Sequence, residues 1–284
     1  MRKNKSSRVL LWAVIGLAMA GIGYFFYSKK PEQPQQIIVK KKIFPVDTRS
    51  HMTASTPVDT EEEIVENSGR TEDPCAEMMQ ELADFFRYLD QRDYVKKKYS
   101  KPNAYKRFKR IINLLTVHPP VPSGESLDPD IIISNLYHFF RILPSVDLHF
   151  IRDVLQNEQE DMESILDMFY RWISLNDQCP DPKRIRPSNK EVFAYAGFFL
   201  NTTGGRAYLF RRSTALRLLV SYYSILIVHN LDREGKNFEG IDILPFVSSL
   251  REEMERFHDL EFKEEYIKTL SQIENYYLSR RGIS

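Results

Sequence analysis

The sequence predicts an all-α protein: one N-terminal transmembrane helix, a flexible stalk, and a domain of about eight to nine packed helices. Three observations carry that expectation. From Asp73 onward, apolar residues recur at three- and four-residue steps, the helical period, with no long alternation of β-branched residues. Helix starts are written as Asp73-Pro74, Asp128-Pro129 and the S-x-x-E pattern of Ser188 and Glu191. Ahead of the domain, Val9–Tyr27 (VLLWAVIGLAMAGIGYFFY) carries no charge. As a helix it would be about 28 Å long, close to the roughly 30 Å hydrocarbon core of a bilayer.

Residues 1–8 form a basic N-terminus with Arg2, Lys3, Lys5 and Arg8, followed by the signal-anchor 9–27. Trp12 and Tyr24 to Tyr27 would sit at the two interfaces. The rival reading is a signal peptide cut after Ala20, but the apolar run continues through Phe26. Basic residues lie on both sides of the span, so the orientation rests on the short basic N-terminus staying in the cytoplasm. The C-terminal part is then exported, in a bacterium to the periplasm, from an anchor in the inner membrane. Ala13, Gly16, Ala20 and Gly23 share one face of the span, a small-residue pattern that would support a homodimer through the anchor.

Residues 28–72 read as the stalk. Pro31, Pro34, Pro45 and Pro57 with scattered Ser, Thr and Gln leave too little apolar surface to offset ordering entropy. Within it, Ile37–Phe44 (IIVKKKIF) suits a short strand or a docking segment.

The globular domain covers 73–284, divisible into halves 73–180 and 181–284 at CPDPKRIRP. Met78, Leu82, Phe85, Phe86 and Leu89 form the inner face of the first helix. The second runs over Asn103–Val117, with Phe108, Ile111 and Leu115 inward and Lys106, Arg110 and Asn113 on a solvent face. A third is expected from Asp128 to Leu143, stopped by Pro144. Val146–Gln156 and Gln159–Asn176 follow, as two helices or one bent element. The next runs from Asn189 to about Thr202, where a left-handed glycine at Gly204–Gly205 is expected to end it. A long helix to Val228 comes after, and Ile243–Phe257 and Glu261–Arg280 close the chain. Leu218–Val228 (LLVSYYSILIV) is apolar on every face but too short for a second span, so it is assigned to the centre of the core.

The formal net charge of +1 gives no whole-chain argument for nucleic acid, which is not an expected partner. The strongest local charge is KKKYSKPNAYKRFKR, with Lys96, Lys97, Lys98, Lys101, Lys106, Arg107, Lys109 and Arg110. It reads as a solvated helix face or as a patch for anionic lipid or polymer. Arg206, Arg211 and Arg212, just past the glycines, are a candidate anion-binding group. The glycine spacing fits neither a P-loop nor a dinucleotide fingerprint. The histidines show no metal-ligand spacing, and no nucleophile motif is present, so neither a cofactor nor a metal is expected. Cys75 and Cys179 are the only cysteines and form a candidate disulfide between neighbouring helix ends.

These features favour a non-enzymatic scaffold or interaction module of the cell envelope, with other envelope proteins as partners. One alternative is an enzyme or carrier acting on an anionic phospholipid or polymer through the arginines. The other is a membrane-tethered regulator facing the cytoplasm.

Overall fold

The computed structural model describes residues 73–99, 103–121, 128–175, 179 and 186–282. The segments expected to form the anchor and the stalk, and Lys101, lie outside the described residues. Among those described, every regular element is helical: α1 (Pro74–Gln91), α2 (Asp93–Lys98), α3 (Ala104–Val117), α4 (Pro129–Leu136), α5 (His138–Ile142), α6 (Ser145–Asn157), α7 (Met162–Ser174), α8 (Asn189–Asn201), α9 (Thr203–Phe210), α10 (Thr214–Arg233), α11 (Leu244–Arg256) and α12 (Lys263–Arg280). A single 3-10 turn, Gln159–Asp161, links α6 to α7.

Twelve helices replace the eight to nine expected because two segments break where continuity was anticipated and one short helix, α2, forms where none was expected. Arg92 adopts an extended conformation and starts the short α2. The 128–143 helix is interrupted at Tyr137, next to Asn135 and His138, whose side chains are drawn inward. The helix expected to run from the glycines to Val228 is split at Arg211–Ser213, where the Ser213 hydroxyl accepts from the Leu216 amide and begins α10. The local start signals act at the predicted places. Asp73 accepts from the Cys75 amide at 3.0 Å, Asp128 from the Asp130 amide at 2.9 Å, and Ser188 and Glu191 form a capping box.

Gly204 and Gly205 correct a sequence expectation. Neither ends a helix in a left-handed conformation; both lie in the first turn of α9, whose cap is Thr202, accepting from the Gly205 amide at 2.9 Å. The need for glycine is steric. A Cβ on Gly204 would lie 2.4 Å from the Asn135 carbonyl of α4, and one on Gly205 would lie 1.9 Å from the Phe198 oxygen of α8. Two backbones approach α9 so closely that no side chain fits.

The core is built around α10. Leu218, Leu219 and Ile225 are fully buried, and α7, α8, α11 and α12 supply Met162, Phe193, Leu200, Val247, Met254 and Leu270 to the same cluster. By length and composition α10 could cross a membrane, but most of it is enclosed by neighbouring helices, as the core assignment requires. Tyr222 meets Thr269, and Tyr223 meets Tyr266, which in turn donates to Glu163 at 3.0 Å. Glu163 also accepts from the Glu261 and Phe262 amides, so an acid of α7 caps the start of α12.

A second apolar cluster is aromatic. Phe86 and Phe108 lie 4.8 Å apart between centroids, and Phe108 contacts Phe169 and Trp172, each at 5.4 Å. Helix α7 therefore faces both clusters. Helices from both sides of residue 180 pack together: α4 against α9, and α7 against both α1 and α10. Cys75 in the first turn of α1 is disulfide-bonded to Cys179, just beyond α7. Buried Arg186 donates to the Leu175 carbonyl at 2.9 Å and covers the C-terminal end of α7.

Candidate functional site

Most strongly charged groups in the described residues are engaged within the fold. The inner face of α6 carries Asp147, Phe150 and Asp153, all buried. Asp147 accepts from Arg107 at 2.8 Å and from Arg110, while Asp153 accepts from Lys98 at 2.9 Å and from the Tyr99 hydroxyl at 3.1 Å. Burial pushes the Asp153 carboxyl up, but Lys98, Arg152 and Tyr99 outweigh it and hold it below the ordinary aspartate value. Arg107 also stacks 4.7 Å from the Tyr99 ring and 5.3 Å from Phe150. Just ahead of the 3-10 turn, buried Glu158 accepts from the Tyr88 hydroxyl at 2.7 Å and from Arg92 at 2.9 Å.

The basic segment is accordingly not a uniform solvated patch. Arg110 lies on the expected solvent face with Lys106 and Asn113, half exposed, and its guanidinium reaches buried Asp147. Lys97 pairs loosely with Asp93 at 3.6 Å, and Lys109 covers the Tyr105 ring at 4.7 Å. Lys96 and Lys106 are exposed. Of the three candidate anion-binding arginines, Arg206 donates to the Leu200 carbonyl at 3.1 Å and lies 5.6 Å from the Phe246 ring. Arg212 stacks 4.4 Å from Tyr208, and Arg211 is exposed. Arg206 and Arg212 are thus held on different neighbours. Among the described residues, no group of three or more His, Cys, Asp or Glu is placed to hold a metal ion.

The surface that stands out is apolar, and it lies on α4–α5. Ile133, Leu136, Tyr137 and Phe140 are 53%, 39%, 48% and 59% exposed. They occur at helical spacing, and the backbone ladder nearly continues across the break: the Tyr137 amide bonds Ile133 at 3.2 Å, and the Arg141 amide bonds Tyr137 at 2.9 Å. One continuous stripe therefore faces outward. Val117, at the end of α3, and Val121, in the segment that follows, are also exposed, and that segment is tied to α4 by a hydrogen bond from Asn135 to the Val121 carbonyl at 3.3 Å.

The inner side of α4–α5 is held firmly. Gly204 lets α9 come against Asn135, and Phe139 packs 4.6 Å from Tyr208 and 5.7 Å from Phe198. Buried His138 meets the Tyr195 hydroxyl at 3.0 Å, and that hydroxyl donates to the Leu115 carbonyl at 3.0 Å. With the tyrosine proton so committed, His138 donates from Nε2. Burial lowers its pKa to about 4, helped by Arg141 and His118, so the ring is neutral near pH 7. The stripe is thus a supported surface, not a frayed helix.

Sequence reasoning placed a helix here but not its open face. The available signal was that IIISNLYHFFRIL carries more apolar residues than one buried face can use. A scan of protein-family models and searches of curated proteins and solved structures returned no match.

Proposed function

We propose that the chain is a membrane-tethered, exported interaction module of the cell envelope, with no catalytic role, that docks a partner through α4–α5. The observation that carries this reading is the supported stripe of Ile133, Leu136, Tyr137 and Phe140, solvent-facing in a domain whose buried acids and the cations beside them are paired with one another. Exposed apolar surface backed by rigid packing is what a protein contact requires. The Cys75–Cys179 bond suits an oxidising compartment, which supports export. The separate placement of Arg206 and Arg212 lends no support to an arginine-lined substrate site.

A photo-reactive amino acid at position 140, introduced in cells, tests the docking. A discrete protein adduct is expected there, absent when the probe replaces exposed Arg256 and lost when Ile133 and Leu136 are changed to Glu. Adducts of equal intensity at both probe sites would refute a dedicated face. A C-terminal topology reporter, with alkylation of the two cysteines, tests export. A cytoplasmic reporter with two free thiols would overturn it.

A further inference from the structure

We infer that the partner of the α4–α5 stripe is a second copy of this chain, docked antiparallel across a two-fold axis; this rests on the interaction reading above. The inference comes from where the charges lie around the stripe. At about 100° of rotation per residue, Leu136, Phe140, Ile133 and Tyr137 cover an arc of about 100°. Asp130 and Arg141, both exposed, fall together on one edge of that arc, within about 40° of Tyr137. They stand at its opposite ends, about 16 Å apart along the axis.

A two-fold axis that lies between two antiparallel helices reverses their direction and preserves their flank. Residues at opposite ends and on the same flank are therefore brought face to face. Asp130 of one copy meets Arg141 of the second, and the reciprocal pair forms at the other end. Near the axis Leu136 meets its own copy on one flank and Tyr137 its own copy on the other, with Ile133 and Phe140 packed to either side. The stripe is complementary to itself in both shape class and charge, as an isologous interface requires. An anionic bilayer fits less well. Asp128 and Asp130 would face its headgroups, and Arg141, the basic residue of the stripe, also donates to Ser134.

Size explains why such a contact needs the tether. A free-standing dimer buries about 800 Å² on each partner, more than one short helical stripe offers. On the proposed tether, two domains would face each other at an effective concentration in the millimolar range. There a weak, self-complementary contact is sufficient. The small-residue face of the proposed anchor would bring the two stalks together.

The full chain in its native membrane tests this, with the photo-probe at position 140. The expected product has twice the chain mass, with the cross-link mapped to the Ile133 region of the second copy. Asp130→Arg places Arg against Arg, and Arg141→Asp places Asp against Asp. Each alone should lower the yield about tenfold, and the combined swap should restore it to within about threefold of the parent. Circular dichroism melts of the purified chains serve as the folding control. An adduct with a different protein would overturn self-pairing while leaving the interaction reading intact. A lipid adduct, or a combined swap no better than the single changes, would also overturn it.

Discussion

Helices α10 and α4–α5 are both rich in large apolar residues, yet they end in different surroundings. Around α10, helices on all sides bury Leu218, Leu219, Ile225 and Val228 almost completely. Around α4–α5, only the inner side is covered, by α9, α8 and the end of α3, and the outer residues stay about half exposed. The same composition thus serves cohesion in one place and leaves a surface in the other. The difference lies in how many neighbours the chain path supplies, which periodicity within one helix does not record.

The comparison can be broken by measurement, beginning where the largest effect is expected. Leu219→Ala on α10 should cost about 3 kcal/mol in denaturant unfolding, because it leaves a cavity among fully buried neighbours. Gly204→Ala should cost about 2–3 kcal/mol, since the new methyl meets the Asn135 backbone, which cannot swing aside. A loss below 1 kcal/mol would show that α9 and α4 are not so closely joined.

The pH dependence is smaller and has a defined sign. His138 has a folded pKa of about 4, below its ordinary 6.5, so the unfolded chain takes up the proton first. Stability should therefore rise from pH 4 to 6.5 and fall on acidification through that window, by about 2 kcal/mol from this residue once the roughly 3 kcal/mol set by the two values is discounted for solvent screening. Burial, together with Arg233, also lowers the His229 pKa against the opposing pull of Asp232, and it acts in the same direction. The informative quantity is the difference between the parent and His138→Gln, which should show the shallower slope. Identical slopes would remove His138 from the account. Smallest of all, Phe140→Ala should change stability by no more than about 0.5 kcal/mol, the behaviour of a surface site.

What could be read from the sequence was local. Asp73, Asp128 and Ser188 act within three residues of themselves, and their caps form as their spacing implies. The central place of Leu218–Val228 was legible because no other element is as long and as uniformly apolar. What was not legible depends on distant partners. Asp147 and Asp153 meet cations 40 and 55 positions earlier, and that pairing draws Lys98, Arg107 and Arg110 out of the basic patch. The glycines showed a backbone requirement, but its cause is the approach of α4 and α8, not a left-handed turn. The stripe on α4–α5 was visible as apolar residues, and only the packed neighbours reveal which side stays open.

The central claim is that this stripe serves association and not folding. Paired measurements on the full chain carrying Ile133→Glu and Leu136→Glu test it most directly, with unfolding followed at a concentration too low for pairing and the dimer cross-linked from the probe at position 140 read in cells. The account predicts an unfolding midpoint shifted by no more than about 0.5 kcal/mol and loss of the dimer. A stability loss of about 2 kcal/mol or more, or a dimer that persists through the same face, would contradict it.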